Sequence, residues 1–82
     1  MGTSAKKIKR NDEAIMNLGR NIRKFRKLKG LTIAQLAYAC EIEPKQLYNY
    51  EYGKVDTNIT NLTLIAEHLG VEAYQLLMKH EE

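Results

Sequence analysis

Hydrophobic residues recur at helical spacing along most of the chain, and no segment alternates as a strand would. The first series runs Ile15, Leu18, Ile22, Phe25 and Leu28; it predicts a helix from about Glu13 to Lys29, with Gly30 as its stop. Four shorter helices are predicted after it. The second helix is capped by Thr32 and carries Ile33, Leu36, Ala37 and Cys40, and the third runs from Pro44 to Gly53 with Leu47 and Tyr50 inward. The fourth lies between Asn58 and Gly70 with Ile59, Leu62, Ile65, Ala66 and Leu69 on one side, and the fifth runs from Val71 to about Lys79. The pattern therefore predicts a compact all-α domain of five helices.

The length of 82 residues allows one domain at most, with little core left to build walls around a substrate cleft. His68 and His80 stand alone, no carboxylate pair or glycine-rich phosphate loop is apparent, and Cys40 has no nearby histidine to activate it. We therefore expect no catalytic residue, no metal site and no cofactor. The start of the chain lacks the apolar segment of a signal peptide, and no stretch is apolar enough to span a membrane, so we expect a cytoplasmic protein.

The net charge of +3 is unevenly distributed along the chain. Residues 1–29 hold ten basic and two acidic residues, a net charge of +8, whereas residues 30–82 have a net charge of −5. This asymmetry suggests a polyanionic partner such as nucleic acid; a solvated surface with a disordered basic tail is the alternative. We expect a flexible basic arm over 1–12, a folded domain over 13–79 and a short tail over 80–82. The stripe Arg20, Arg23, Lys24 and Lys27 is either a solvated face or a set of phosphate contacts.

Residues 33–52 carry the pattern most informative about function. Two predicted helices are joined by only three residues, 41–43, and Ala37 supplies the small side chain that a close approach of the two helices requires. Apolar side chains that would fill their shared core follow at suitable offsets: Leu36, Cys40, Ile42, Leu47 and Tyr50. The segment is therefore predicted to be a helix-turn-helix, whose second helix lies in the major groove of DNA.

Several further motifs resemble those of one family. They are Leu18-Gly19-Arg20-Asn21-Ile22-Arg23, Arg26, Lys29-Gly30-Leu31-Thr32, Leu36-Ala37, Glu51-Tyr52-Gly53-Lys54, Ala66-Glu67-His68-Leu69-Gly70-Val71 and Leu76-Leu77. Together, over about 17–78, they resemble the Cro/CI-type (lambda repressor-like, xenobiotic-response-element) helix-turn-helix family. The resemblance implies a five-helix DNA-binding domain that regulates transcription, usually as a dimer on a palindromic operator. It also implies a buried ion pair between Arg26 and Glu51, for which two solvated surface charges are the alternative.

Three positions depart from the family's pattern. Glu41 stands where the turn usually has glycine, so either a left-handed glutamate is tolerated or the turn differs. Glu43 replaces the usual Ser or Thr cap of the third helix, where its carboxylate could still accept from backbone N–H groups. Ile33 replaces a frequent glutamine, which removes one side-chain contact to phosphate.

With Leu47 and Tyr50 facing inward, the outward stripe of the third helix is Lys45, Tyr48, Asn49 and Tyr52. Lys45 could donate to guanine and Asn49 could bond adenine, while Tyr48 could touch a thymine methyl group or a phosphate. Pro44, at the start of the helix, completes the expected base-reading set, and solvated or packed surface roles are the alternative. The expected phosphate contacts are Tyr52 and Lys54 where the chain leaves the groove, and two helix N-termini at Thr32, Ile33, Asn58 and Asn61.

The last predicted helix presents Tyr74, Leu77 and Met78, which we expect either to form a dimer surface or only to close the monomer core. The function that fits these features best is that of a sequence-specific regulator of transcription that binds double-stranded DNA, with a repressor favoured. The competing hypothesis is a protein-interaction module or antitoxin-type partner on the same fold, because Lys45 is the sole basic residue on the third helix before Lys54.

Overall fold

A computed structural model describes residues 9–80 of the protein. These residues form α1 (Asp12–Leu28), α2 (Ile33–Cys40), α3 (Pro44–Glu51), α4 (Ile59–Leu69) and α5 (Ala73–Leu77), and no strand occurs among them. The predicted all-α fold of five helices is therefore confirmed. No helix within this part of the chain has the length and apolar character needed to cross a membrane.

Side-chain caps explain where three of the helices begin. The Asn11 carboxamide oxygen accepts from the backbone N–H of Ala14 at 3.0 Å, so α1 starts at Asp12, within the segment expected to be a flexible arm. Thr32 and Gln35 form a reciprocal capping box at the start of α2, with bonds of 2.9 and 3.0 Å. Asn58 caps α4 by accepting from the backbone N–H of Asn61 at 2.8 Å. Each cap satisfies a backbone donor that the first turn of a helix leaves without a partner.

The last helix is shorter than the predicted span of 71–79. The backbone N–H of Glu72 donates to the Gln75 carboxamide oxygen at 2.9 Å, so the helix begins only at Ala73. At the other end Met78 has an extended backbone with ψ of 153°, which stops the helix at Leu77. Local capping and an extended residue therefore set both ends of α5, and apolar spacing alone cannot locate such ends.

The turn between α2 and α3 keeps the left-handed geometry without a glycine. Glu41 has φ of 59° and ψ of 42°, a conformation that costs a non-glycine residue about 1–2 kcal/mol. The backbone N–H of Ile42 donates to the Ala37 carbonyl at 3.0 Å, which closes the C-terminal end of α2. The first of the two alternatives for Glu41, a tolerated left-handed glutamate, is thus the one observed.

Glu43 does not cap α3 through its side chain, and that expectation is wrong. Its carboxylate makes no capping hydrogen bond. The backbone N–H of Gln46, which such a cap would serve, donates instead to the backbone carbonyl of Glu43 at 3.0 Å. Pro44 at the first helical position brings no N–H that would need a partner.

Each helix contributes a fully buried aliphatic side chain to one core. These side chains are Ile22 from α1, Leu36 from α2, Leu47 from α3, Ile65 from α4 and Leu76 from α5. Leu28 and Ile59, predicted on the inner faces, are instead 74% and 70% exposed. They are the last residue of α1 and the first of α4, so their side chains lie beyond the contacts between helices.

Gly19 allows α1 and α3 to approach closely. A Cβ atom at this position would lie less than 3.0 Å from the backbone carbonyl oxygens of Tyr50 and Glu51, which cannot move aside as a flexible side chain can. The absence of a side chain at Gly19 therefore places the C-terminal end of α3 directly against the middle of α1.

The ion pair between Arg26 and Glu51 is buried, as the resemblance implies. The Arg26 Nε and Nη2 atoms donate to the two Glu51 carboxylate oxygens at 2.6 and 3.0 Å, and the Glu51 side chain is fully shielded from solvent. Arg26 Nη1 also donates to the Leu31 carbonyl at 2.8 Å. One guanidinium group thus links the end of α1, the loop before α2 and the end of α3.

A second polar link joins α3 to α4. The Tyr50 hydroxyl accepts hydrogen bonds from Gln46 Nε2 at 2.6 Å and from Asn61 Nδ2 at 2.7 Å. Its ring is buried in the core, so the predicted inward position of Tyr50 is confirmed. The hydroxyl therefore fixes α3 relative to the first turn of α4.

Removing one partner of the ion pair should strongly destabilise the fold. We expect Arg26→Ala to lower the free energy of unfolding by roughly 3–5 kcal/mol, because the buried Glu51 carboxylate loses its counter-charge. Urea unfolding followed by circular dichroism measures this loss, with exposed Lys27→Ala as the matched control. Equal unfolding free energies for the two variants would contradict a stabilising role of the pair.

Removing the Tyr50 hydroxyl should cost less. Tyr50→Phe leaves the side-chain amides of Gln46 and Asn61 without this acceptor at a partly buried position, so we expect a loss of about 1–2 kcal/mol in unfolding free energy. Tyr48→Phe, on the same helix but exposed, is the control and should unfold as the parent does. If the two variants are equally stable, the hydroxyl does not fasten α3 to α4.

Candidate nucleic-acid interface

The helix α3 is anchored on one side and open on the other. Leu47, Tyr50 and Glu51 are buried against the rest of the protein. Facing away from them are the residues predicted to read bases: Pro44 and Lys45 are exposed, Tyr48 is 40% exposed and Asn49 is half-buried. The structure thus brings this predicted set together on the outer face of α3, with its side chains available to a ligand.

The predicted phosphate contacts have different surroundings. Tyr52 and Lys54 are exposed at the C-terminal end of α3. Thr32 is exposed, but the Ile33 side chain is half-buried and packs against the core, so only the backbone of Ile33 remains available to phosphate. At these positions the helix N-terminus, rather than a long polar side chain, would meet an anion.

The second helix N-terminus differs in one respect from the prediction. Asn58 is exposed, with its carboxamide oxygen committed to the cap of α4. Asn61 already has two hydrogen-bond partners within the protein. Its backbone N–H donates to the Asn58 carboxamide oxygen, and its side-chain amide donates to the Tyr50 hydroxyl. A side-chain contact from Asn61 to phosphate would have to break the bond to Tyr50, whereas Asn58 keeps its amide group at the surface.

Tyr48, Tyr52 and Arg23 form an aromatic and cationic column at the C-terminal end of α3, which was not predicted from the sequence. The rings of Tyr48 and Tyr52 lie with centroids 4.6 Å apart, and the Arg23 guanidinium carbon lies over the Tyr52 ring at 4.6 Å from its centroid. The two tyrosines are four residues apart, Tyr48 within α3 and Tyr52 directly after its end, a spacing that is visible in the sequence. Arg23 belongs to α1 and comes beside Tyr52 only through tertiary packing.

Arg10 also reaches this end of α3. It donates from Nη2 to the Gly53 carbonyl at 3.3 Å and from Nη1 to the Lys54 carbonyl at 3.5 Å, and its Nε lies 3.2 Å from an Asp12 carboxylate oxygen. The described part of the predicted arm thus contacts the loop after α3. Residues 1–8 of that predicted arm, with Lys6 and Lys7, lie outside the described residues.

At the other end of the chain, α1 holds the segment after α5. Asn21 Nδ2 donates to the Leu76 and Met78 carbonyls at 2.9 and 2.6 Å, and Asn17 Nδ2 donates to the Met78 carbonyl at 2.6 Å. His80, the first residue of the expected tail, bonds both asparagines, with its Nδ1 at 2.9 Å from Asn21 Oδ1. Residues 81 and 82 of that tail lie outside the described part of the chain.

The predicted dimer residues are all exposed. Tyr74, Leu77 and Met78 expose 65%, 54% and 56% of their surfaces, whereas Leu76 between them is fully buried. Leu76, rather than these three, closes the core of the monomer. The exposed apolar face of α5 is consistent with a surface that another protein could cover.

The Cys40 thiol is buried in the core and is not activated. Burial raises the pKa of the Cys40 thiol, and the negative charge of Glu67 adds to the effect, so the thiol remains protonated and a poor nucleophile at neutral pH. Across residues 9–80, no group of three or more metal-binding side chains is found.

Known structures share this fold. The protein is similar to a hypothetical transcription factor from Neisseria (31% identity, 82% of this chain and 75% of that chain, TM-score 0.79). It is also similar to the clp gene regulator ClgR from Corynebacterium glutamicum (29% identity, 79% of this chain and 69% of that chain, TM-score 0.77). Hydroxypropylphosphonic acid epoxidase from S. wedmorenis contains the same fold at 22% identity, but 82% of this chain matches only 36% of that enzyme, with a TM-score of 0.76.

The match to a protein family extends over most of the fold. The family described as "Helix-turn-helix" matches residues 22–76, from the middle of α1 to α5. No protein in a curated collection matches the chain at a significant level. The family match, the five-helix fold and the exposed outer face of α3 agree with one another, and the chain belongs to the Cro/CI-type helix-turn-helix family of DNA-binding transcription regulators.

Proposed function

We propose that the protein is a sequence-specific repressor that binds a palindromic operator as a homodimer and reads the major groove with α3. The observation that carries this proposal is the division of α3 into two faces. Leu47, Tyr50 and Glu51 hold the helix from behind, while Lys45, Tyr48 and Asn49 project away from the protein. A rigidly held helix with a free polar face is what reading base edges requires.

The side chains of this face have distinct recognition chemistry. The Lys45 ammonium group can donate to O6 or N7 of guanine, and the Asn49 carboxamide can both donate to and accept from adenine. Tyr48 offers its ring to a thymine methyl group, and Pro44 lies at the end of the helix that enters the groove first. Lys45, Tyr48, Asn49 and Pro44 are thus the proposed base-reading residues.

Phosphate contacts would orient the helix in the groove. The proposed groups are the N-terminus of α2 at Thr32 and Ile33, the N-terminus of α4 at Asn58 and Asn61, and the side chains of Tyr52 and Lys54. The Asn61 side chain would contact phosphate only if its hydrogen bond to the Tyr50 hydroxyl broke. Occupation of an operator excludes other proteins from the same DNA, so binding by this domain would suffice for repression.

The exposed side chains of α5 support the proposed homodimer. Pairing of Tyr74, Leu77 and Met78 with the same residues of a second copy would remove their apolar surface from water. Two recognition helices related by twofold symmetry would then bind half-sites about one helical turn, roughly 34 Å, apart. A palindromic operator follows from that symmetry.

A protein-binding function on the same fold is the alternative. The observation that favours it is the composition of α3, whose outer face carries two exposed tyrosines and only one basic side chain, Lys45. Tyrosine is enriched in protein interfaces, and a nearly neutral helix attracts DNA weakly. Selection of binding sites from random duplex DNA separates the two functions, because a protein-interaction module would enrich no sequence.

Substitution of the reading residues should weaken specific binding without unfolding the domain. We expect Lys45→Ala and Asn49→Ala each to lose about 1–3 kcal/mol of binding free energy toward the selected site, and to relax specificity at one base position. Fluorescence anisotropy with the selected and a scrambled duplex measures both effects. Lys79→Ala, an exposed lysine beyond α5, is the charge-matched control. Parental affinity and specificity in both variants would show that α3 does not read the bases.

A charge on the exposed face of α5 should separate the dimer. We expect Leu77→Asp to weaken self-association at least about tenfold, because a carboxylate would be buried in an apolar interface. Sedimentation velocity over a range of concentrations measures the change. Leu28→Asp, an equally apolar and more exposed position at the end of α1, should leave association unchanged. If the parent protein stays monomeric at every concentration, the proposed dimer is wrong.

A further inference from the structure

We propose that the DNA-binding surface extends beyond the helix-turn-helix onto α1, where Arg23, seated on the Tyr52 ring, binds a phosphate of the DNA backbone. This inference rests on the proposed function, since it assumes that the outer face of α3 lies in the groove. It gives a role to one residue of the basic stripe of α1, which the sequence left as either solvated surface or phosphate contact.

Arg23, Tyr52 and Tyr48 form a column at the C-terminal end of α3. The Arg23 guanidinium carbon lies 4.6 Å from the centroid of the Tyr52 ring, within the range of a cation–π interaction. The Tyr52 ring in turn contacts that of Tyr48, with centroids 4.6 Å apart. Because Tyr48 shares the outer face with Lys45 and Asn49, the column leads directly from the proposed base-reading residues to Arg23.

The positive charge of Arg23 remains available to a ligand. Within residues 9–80, no carboxylate lies within ion-pairing distance of Arg23. The Tyr52 ring restricts the side chain through its π face without using the N–H donors of the guanidinium group. A guanidinium that is held in place with its donors free matches the needs of phosphate recognition.

The other basic residues near Arg23 have different partners. Arg26 forms a buried ion pair with Glu51. Arg10 contacts the Asp12 carboxylate and donates to the carbonyls of the loop after α3. Lys24, the residue next to Arg23, lies over the Phe25 ring at 5.6 Å. Arg23 is therefore the α1 cation that the structure places against Tyr52, one of the proposed phosphate contacts.

The distribution of positive charge also favours a phosphate contact from α1. Duplex DNA is bound largely through neutralisation of its phosphates, yet the outer face of α3 carries only Lys45. The positive charge of the chain is concentrated in residues 1–29. Arg23 brings part of that charge to the C-terminal end of α3, and exposed Arg20 and Lys27 lie on the same stripe of α1. The contact would be sequence-independent and would add affinity rather than specificity.

The salt dependence of binding provides the test. The full chain is titrated into a fluorescein-labelled duplex of about three helical turns and mixed sequence, and anisotropy is measured at several salt concentrations. Each phosphate that a cation neutralises contributes about 0.9 to the slope of log Kobs against log salt, so Arg23→Gln should lower the slope by about 1 per bound protomer. The same change weakens binding about fivefold near physiological salt. Lys24→Gln, its exposed neighbour on α1, should change the slope by less than half as much.

Two substitutions of Tyr52 distinguish the effect of its ring, which positions Arg23, from the effect of its hydroxyl. Tyr52→Phe keeps the ring and should keep the slope, even if loss of the hydroxyl lowers affinity. Tyr52→Ala removes the ring and should lower the slope as Arg23→Gln does, and combining the two should cause no further decrease. Circular dichroism confirms the helical content of every variant before its slope is compared.

The outcomes distinguish failure of this inference from failure of the proposed function. If the parent binds the duplex but Arg23→Gln and Lys24→Gln have equal slopes, Arg23 is solvated surface; the inference is wrong and the DNA-binding proposal stands. If Tyr52→Ala keeps the parental slope, the ring does not position Arg23 and the proposed column is wrong. If the parent binds no duplex at any salt concentration, both proposals fail.

Discussion

The orientation of α3 depends on one buried ion pair. Glu51, the last residue of α3, has its carboxylate fully enclosed, and Arg26 from α1 supplies both hydrogen-bond donors and the compensating charge. Such a pair holds only in a narrow geometry, since a displaced partner would leave a charge in a low-dielectric environment. The close approach permitted by Gly19 lies about two turns before Arg26 on α1, at the same contact between α1 and α3. These constraints leave the opposite face of α3 exposed.

The polar side chains of α3 divide between those that hold the helix in place and those left exposed. Behind the helix, the Tyr50 hydroxyl and the Glu51 carboxylate are satisfied by groups from α4 and α1. In front of it, Lys45 and Asn49 are left for base edges in the proposed function. Because the front is nearly neutral, attraction to the DNA backbone would come from α1, with Arg23 as the residue that joins the two surfaces.

The α5 region shows a similar division. Leu76 is buried in the core, while the asparagines Asn17 and Asn21 of α1 donate to the backbone carbonyls of Leu76 and Met78. The exposed apolar side chains of this region therefore project from a helix that is itself well anchored. A rigid apolar surface loses little conformational entropy on association, which favours its use as an interface.

The sequence by itself determined the helices, their order and the family, because apolar period, Asn and Thr caps and glycine stops are local properties that the chain carries without its fold. It also allowed the buried pair of Arg26 and Glu51 to be anticipated, through the resemblance. It misplaced Leu28 and Ile59, since burial at a helix end depends on which neighbour covers it. Only the tertiary structure brought Arg23 over Tyr52 and engaged Asn61 with Tyr50, because contacts between distant segments follow from the packing of whole helices and leave no periodic signal in the chain.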